Sequence, residues 1–261
     1  MNQIKSELRK LTGTNTWIWL TFAAAFIVAG VTALTFLLLK TVASNGGDPL
    51  GLGINTQAGV EDIYSQVGFF LGWLFALILG AVAVTSEFRF GTVVPTFLTT
   101  PQRERPILAK MVAVGIIGGL MGLVVVIAGY ATATVLLLTT SHAGVNYSHL
   151  LLIALGCMLA YVLLSIVGVA VGALVRNQIV AVVLVIVWVV LAQQILAIVT
   201  AIWHLDYISK WFPQNAVAAV VAAASPQADQ LPAWGGALTL IAYAVVLAAL
   251  GFFTTLRRDV A

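Results

Sequence analysis

Charge is scarce in this chain. Asp, Glu, Lys and Arg make up 8% of its 261 residues, while apolar residues reach 61%; soluble domains carry about 25% charged residues. That balance excludes an ordinary soluble domain and identifies an integral membrane protein. Cysteine occurs once, as Cys157 inside an apolar run, so no disulfide can form within the chain. No Asp, Glu, Lys, Arg or His lies near the centre of any long apolar run, which counts against proton-coupled carriers and voltage sensors, since these place such a group at that depth. The chain has no G-x-x-x-x-G-K-[ST], H-E-x-x-H or G-x-S-x-G. It therefore offers no ATP-binding loop, zinc-protease helix or nucleophile elbow. Any ATP-driven work must draw on a second protein. His142 and His149 are too sparse a pair for a metal centre, and no basic patch is interleaved with exposed aromatics as nucleic-acid binding would require.

What is present is length. Six apolar runs, 17–39, 67–85, 111–138, 150–175, 179–202 and 234–256, are each near the ~20 residues that a helix needs to cross about 30 Å of hydrocarbon. They lack the short alternating pattern of a barrel, and lipid forces each segment to satisfy its own backbone. The expected fold is an all-α bundle of six transmembrane helices forming one domain over 1–261. Although Lys5, Arg9 and Lys10 precede the first run, its length exceeds the ~7–15 residues of a signal-peptide core, so it reads as a retained span.

Orientation follows from the basic residues. With a cytosolic N-terminus, Lys5, Arg9, Lys10, Arg89, Arg103, Arg105, Lys110, Arg176, Arg257 and Arg258 fall inside, and only Lys40 and Lys210 fall outside. Both termini are then cytosolic, in a plasma or inner membrane. The net charge of +3 reflects this topology.

Two further segments have a distinct pattern. Before the first span, Ile4, Leu8 and Leu11 recur at helical spacing with Lys5, Glu7, Arg9 and Lys10 opposite, which predicts an amphipathic interfacial helix. Before the sixth, Asn215 to Ala224 is a small-apolar stretch introduced by Phe212-Pro213 and closed by Ser225-Pro226. At about 15 Å it is too short to cross, and it is expected to be re-entrant or to lie on the outer face. Within the spans, Gly68/Gly72, Gly115/Gly119, Gly118/Gly122 and Gly168/Gly172 are spaced for close helix approach. Gln193 and Gln194 are the most notable polar residues at depth. They point about 100° apart on a helix, so at most one faces any given partner.

The loop between the second and third spans concentrates polar chemistry. Gly91-Thr92 followed by Pro95 suits a short helix with Thr92 as cap, and Thr99-Thr100-Pro101 breaks it before the charged knuckle Arg103-Glu104-Arg105. Glu87-x-Arg89-x-Gly91-Thr92, then Leu98-x-Thr100-Pro101, Arg103 and Ala109-Lys110, resembles the permease subunits of type 2 ATP-binding-cassette (ABC) exporters, as does the whole arrangement of spans.

The resemblance implies that this loop is a coupling helix docking on a separate nucleotide-binding ATPase. Glu87, Arg89, Gly91, Thr92, Phe97, Arg103 and Arg105 would form that interface. ATP and Mg would bind to the ATPase partner, with no cofactor on this chain and no catalytic residue in it. A second permease, identical or paralogous, would complete a dimer enclosing the path near the second and fifth spans. Phe69, Phe70, Trp73, Trp188, Gln193 and Gln194 are then the candidate lining residues. So few charges in the spans favour an apolar or amphipathic cargo, drug-like or lipid-like. An ATP-independent channel or carrier, and a membrane anchor or sensor subunit, are the rival readings.

Overall fold

The computed structural model describes residues 2–44, 56–66, 70–91, 104–140, 144–175, 177–222 and 230–256. All regular structure among them is helical. The N-terminal helix α1 (Asn2–Thr12) precedes α2 (Thr16–Ser44), a short α3 (Gln57–Ser65), α4 (Phe70–Arg89), α5 (Glu104–Leu137) and α6 (Tyr147–Val175). The fifth long segment is interrupted: α7 (Gln178–Val187) passes through a π turn at Trp188–Ala192 into α8 (Gln193–Ile202). Then come α9 (Asp206–Ser209), α10 (Pro213–Val221) and α11 (Ala233–Leu256). Among the described residues six helical segments are long and apolar enough to cross a membrane: Thr16–Thr41, Leu71–Arg89, Ile107–Leu137, Tyr147–Val175, Gln178–Ile202 and Ala233–Gly251.

The centre of the bundle is α6, packed against α4, α5 and α11. Glycine makes these approaches possible. A methyl group added at Gly80 would meet the Ser165 carbonyl, and one at Gly168 the Leu77 carbonyl, so α4 and α6 cross with backbone on backbone. Gly118 and Gly122 of α5 turn toward Ser165 and Tyr161 of α6. The spacings Gly115/Gly119, Gly118/Gly122 and Gly168/Gly172 therefore serve packing within the chain, as does Gly72 against Tyr161 and Val28, while Gly68 lies outside the described residues. Trp73, Tyr161, Phe36 and Met121 fill the core. The outer surface carries exposed Phe22, Phe26, Ile127, Leu191, Ile198 and Val245, as expected for helices surrounded by hydrocarbon.

The helix ends depart from the expected spans in informative ways. α4 continues past residue 85 to Arg89, and α5 begins at Glu104 rather than at Met111. Pro106 sits in the first turn of α5, where its missing N–H costs nothing. Lys110 is accommodated because carboxylates neutralise it. The proposed short helix beginning at Thr92, with Pro95 in its first turn, lies outside the described residues.

At one end of the bundle α1, the C-terminal end of α4 and the start of α5 meet, joined by the start of α7. The end of α11 lies there too, Gly251 facing Ala173 and Leu174 of α6. At the other end, α3 packs on α5 and α6. Its Glu61 pairs with His149 Nδ1 at 2.9 Å, and the Tyr64 hydroxyl lies 3.0 Å from Thr134 Oγ1. His149 is thus engaged by a carboxylate from α3, and among the described residues no group of three metal-ligating side chains forms.

Helix α10 starts with Pro213 at its first position and buries Ala216, Val217, Ala219, Val220 and Val221. The Val220 carbonyl lies against Gly156 of α6. Gly156 is nine residues into α6, so α10 reaches about 14 Å along that helix from its Tyr147 start.

Candidate functional site

The most concentrated polar chemistry in the structure is the joint between α1, α4 and α5. On α1, Ile4, Glu7, Leu8 and Leu11 share the face turned toward the bundle, and Glu7 is only 5% exposed. This corrects the sequence reading, which put Glu7 with Lys5, Arg9 and Lys10 on the polar face. Spacing i, i+3, i+4, i+7 puts it on the apolar stripe instead. A buried carboxylate is costly unless paired, and two ammonium groups pair it. Lys110 Nζ lies 2.6 Å from Glu7 Oε2 and Lys10 Nζ 2.6 Å from Glu7 Oε1.

Glu87 completes the network from α4. Its Oε1 is 2.8 Å from Lys110 and 3.1 Å from Lys10. Lys110 also donates to the Ala83 carbonyl at 3.4 Å. Two positive and two negative charges therefore cancel within one cluster that binds three helices. Lys110 is 7% exposed. Burial works to raise the Glu7 carboxyl, but Lys110, with hydrogen bonds from Lys10 and Lys110, outweighs it and holds the group below its usual 4.5. For Lys10, burial works downward while Glu7 and Glu87 raise it, and the net shift is upward from 10.5.

Arg89 stands beside the cluster. Its Nη1 donates to Gln178 Oε1 at 3.3 Å, and its guanidinium lies 5.6 Å from the Phe90 ring centroid. Gln178 is held by the start of α7, where the Asn177 side chain caps the helix by accepting from the N–H groups of Ile179 and Val180. Gly91 ends α4 with φ +67, a left-handed conformation that glycine adopts without steric cost. It turns the chain out of α4 toward the segment 92–103. A groove of about 560 Å³ runs between α1, α4, α5 and α7, with Glu7, Lys10, Trp17, Glu87, Arg89 and Lys110 among its walls.

Of the coupling residues expected from the sequence, Glu87, Arg89 and Gly91 converge on this joint, and Arg105 lies in the first turn of α5. Thr92, Phe97 and Arg103 lie outside the described residues. Glu7, Lys10 and Gln178 were missed as partners. The available signal was an acid on the apolar stripe of α1, answered by a lysine in the first turns of α5.

The expected path residues are dispersed. Phe69 is outside the described residues and Phe70 opens α4. Trp73 is 1% exposed in the core, and Trp188 is 40% exposed on the outside of the π turn. Gln193 is 3% exposed, and neither end of its amide has a hydrogen-bond partner among the described residues. Gln194 is half-buried. The Gln193 N–H bonds back to the Trp188 carbonyl, closing the wider turn. π turns inside α-helices frequently mark functional positions.

Residues 1–260 match the family described as ABC-2 family transporter protein. No curated protein shows a significant match to the chain. With six membrane-length apolar helices and a match over nearly its whole length, the chain belongs to the ABC-2 family, as a transport permease and not an enzyme.

Proposed function

We propose that this chain is the permease subunit of an ATP-driven exporter, working as a pair of permeases with two separate ATPase subunits. One observation carries the reading: the two helices that flank the segment 92–103, α4 and α5, are clamped at their facing ends by Lys110, Glu87, Glu7 and Lys10. A push delivered to that segment is passed to α4, α5 and α1 together. Rigid elements rocking between two arrangements are an established way to alternate access.

In this reading the clamped end faces the cytosol, α1 lies at the headgroup layer, and 92–103 is the coupling helix. Thr92, Phe97, Arg103 and Arg105 contact the ATPase, which binds ATP and Mg. α10, set about 14 Å along α6, is the re-entrant segment on the external side. Helices α4 and α7 pack together. In the dimer the second and fifth spans, with Phe69, Phe70, Trp73, Trp188, Gln193 and Gln194, border the path for an apolar or amphipathic cargo. Gln193 supports this assignment most directly, because its buried amide has no hydrogen-bond partner among the described residues.

The test is reconstitution with the cognate ATPase. Arg103→Glu with Arg105→Glu is expected to lower ATPase copurification and substrate-stimulated hydrolysis while membrane insertion is kept. Unchanged stimulation would overturn the coupling assignment. Transport in liposomes without any ATPase would replace the exporter by an ATP-independent channel or carrier.

A further inference from the structure

The groove beside the charged clamp has features that clamping alone does not require. It is elongated and two-faced. Arg89 and Phe90 lie at one limit on α4 and Leu79 at the other. Ten residues separate Leu79 from Arg89, which is about 15 Å along the helix. Leu79, Val82 and Leu11 make its inner walls apolar, whereas Arg89 and Phe90 stand at the exposed mouth. Its volume of about 560 Å³ lies within the range of small-molecule sites, about 300–1,000 Å³.

Its charge is also unbalanced. Glu7, Glu87, Lys10 and Lys110 neutralise one another, but Arg89 has only the neutral Gln178 amide and the Phe90 ring as described partners. Among the described residues, one positive charge is left over at the mouth, on Arg89. That charge calls for an anionic acceptor, and the apolar depth calls for a hydrocarbon attached to it.

We propose that this groove binds an anionic membrane phospholipid, its phosphate at Arg89 and the upper part of an acyl chain along Leu11, Leu79 and Val82. A guanidinium is suited to phosphate because its planar donors bind oxygens in pairs. A free phosphate would use only the mouth and leave the apolar walls unoccupied, so the lipid is the occupant that matches the whole groove. Seated between α1, α4 and α7, the lipid wedges the clamp against the fifth span. This assignment does not depend on the ATPase reading, and its test uses no ATPase.

The experiment titrates the delipidated full-length protein in detergent with phosphatidylglycerol, phosphatidylcholine and inorganic phosphate, counting bound molecules by native mass spectrometry. Phosphatidylglycerol is expected to bind at least tenfold more tightly than phosphatidylcholine, with millimolar phosphate failing to displace it. Arg89→Gln should lower phosphatidylglycerol affinity about tenfold and leave phosphatidylcholine unchanged. Val82→Trp, which keeps Arg89 but fills the apolar depth, should lower affinity for both lipids. Lys5→Gln with Arg9→Gln, exposed cations outside the groove, should have little effect. Equal binding of the two lipids overturns the proposal, as does wild-type affinity in Arg89→Gln. A loss in Lys5→Gln/Arg9→Gln as large as in Arg89→Gln would replace it with diffuse surface attraction. Displacement of the lipid by phosphate would make it a phosphate site.

Discussion

Lys110 and Glu7 stand 103 residues apart in the chain, yet their side chains meet at 2.6 Å in a nearly buried ion pair. The contact makes the N-terminal helix part of the same rigid body as the start of the third span. Glu87 bonds the same ammonium from the end of the second.

Removing one partner should therefore cost more than removing both. Lys110→Met removes the ammonium that Glu7 and Glu87 share and is expected to destabilise the protein by about 3 kcal/mol, the low end for breaking a buried pair. The double variant Glu7→Leu/Lys110→Met keeps Lys10 and Glu87 together and replaces the buried charges with packing. It should recover most of that loss. Thermal unfolding in detergent, run as a double-mutant cycle, reads the coupling. Additive losses would mean that the pair contributes little.

The clamp also has a definite pH range. Because the Glu7 carboxyl is held below 4.5 in the folded protein, its contribution is full above 4.5 and is lost as pH falls through the depressed value. Lys10 is raised above 10.5, so its contribution is full below 10.5 and is lost as pH rises through the higher value. The docking of α1 should be constant in between. A spin label at Arg9→Cys is expected to gain mobility on the acid side in the wild-type background and to lose that acid transition in Glu7→Gln. An acid transition that survives in Glu7→Gln would assign it to another carboxylate.

How far these features could be read in advance depends on whether the signal is local. The six spans were legible because each is a continuous apolar run, and α10 because Pro213 marks its first turn. Glu87, Arg89 and Gly91 were legible as a motif. The clamp was not, because Glu7 finds Lys110 only through the packing of α1 on α5. Its one local trace was an acid at helical spacing with Ile4, Leu8 and Leu11. The π turn at Trp188–Ala192 left no trace at all, since an inserted residue does not change the apolar character of Trp-Val-Val-Leu-Ala.

Close helix approach gives a sharper contrast. Gly168→Ala would place a methyl group against the Leu77 backbone, where neither helix can yield without opening the crossing. A loss of about 1–3 kcal/mol is expected, as for overpacking. Gly30→Ala on α2 meets nothing within 4 Å and should be neutral or slightly stabilising, since alanine is the better helix former by about 1 kcal/mol. Unfolding midpoints of the two variants, compared side by side, check this. A neutral Gly168→Ala would show that α4 and α6 are less tightly joined than the geometry requires.

Gln193 separates stability from transport. Its amide is buried with both ends unbonded among the described residues, and an unmet buried polar group costs about 1–3 kcal/mol. Gln193→Leu fills similar space without that penalty, so the isolated chain should unfold at a higher temperature. If the amide bonds cargo or a second permease, the same substitution lowers export from proteoliposomes containing the ATPase. A gain in stability together with a loss of export is the expected pair of results, because a residue kept only for packing would improve on both counts or change neither. A lower unfolding temperature would mean that the amide is bonded within the chain, and it would remove Gln193 from the path.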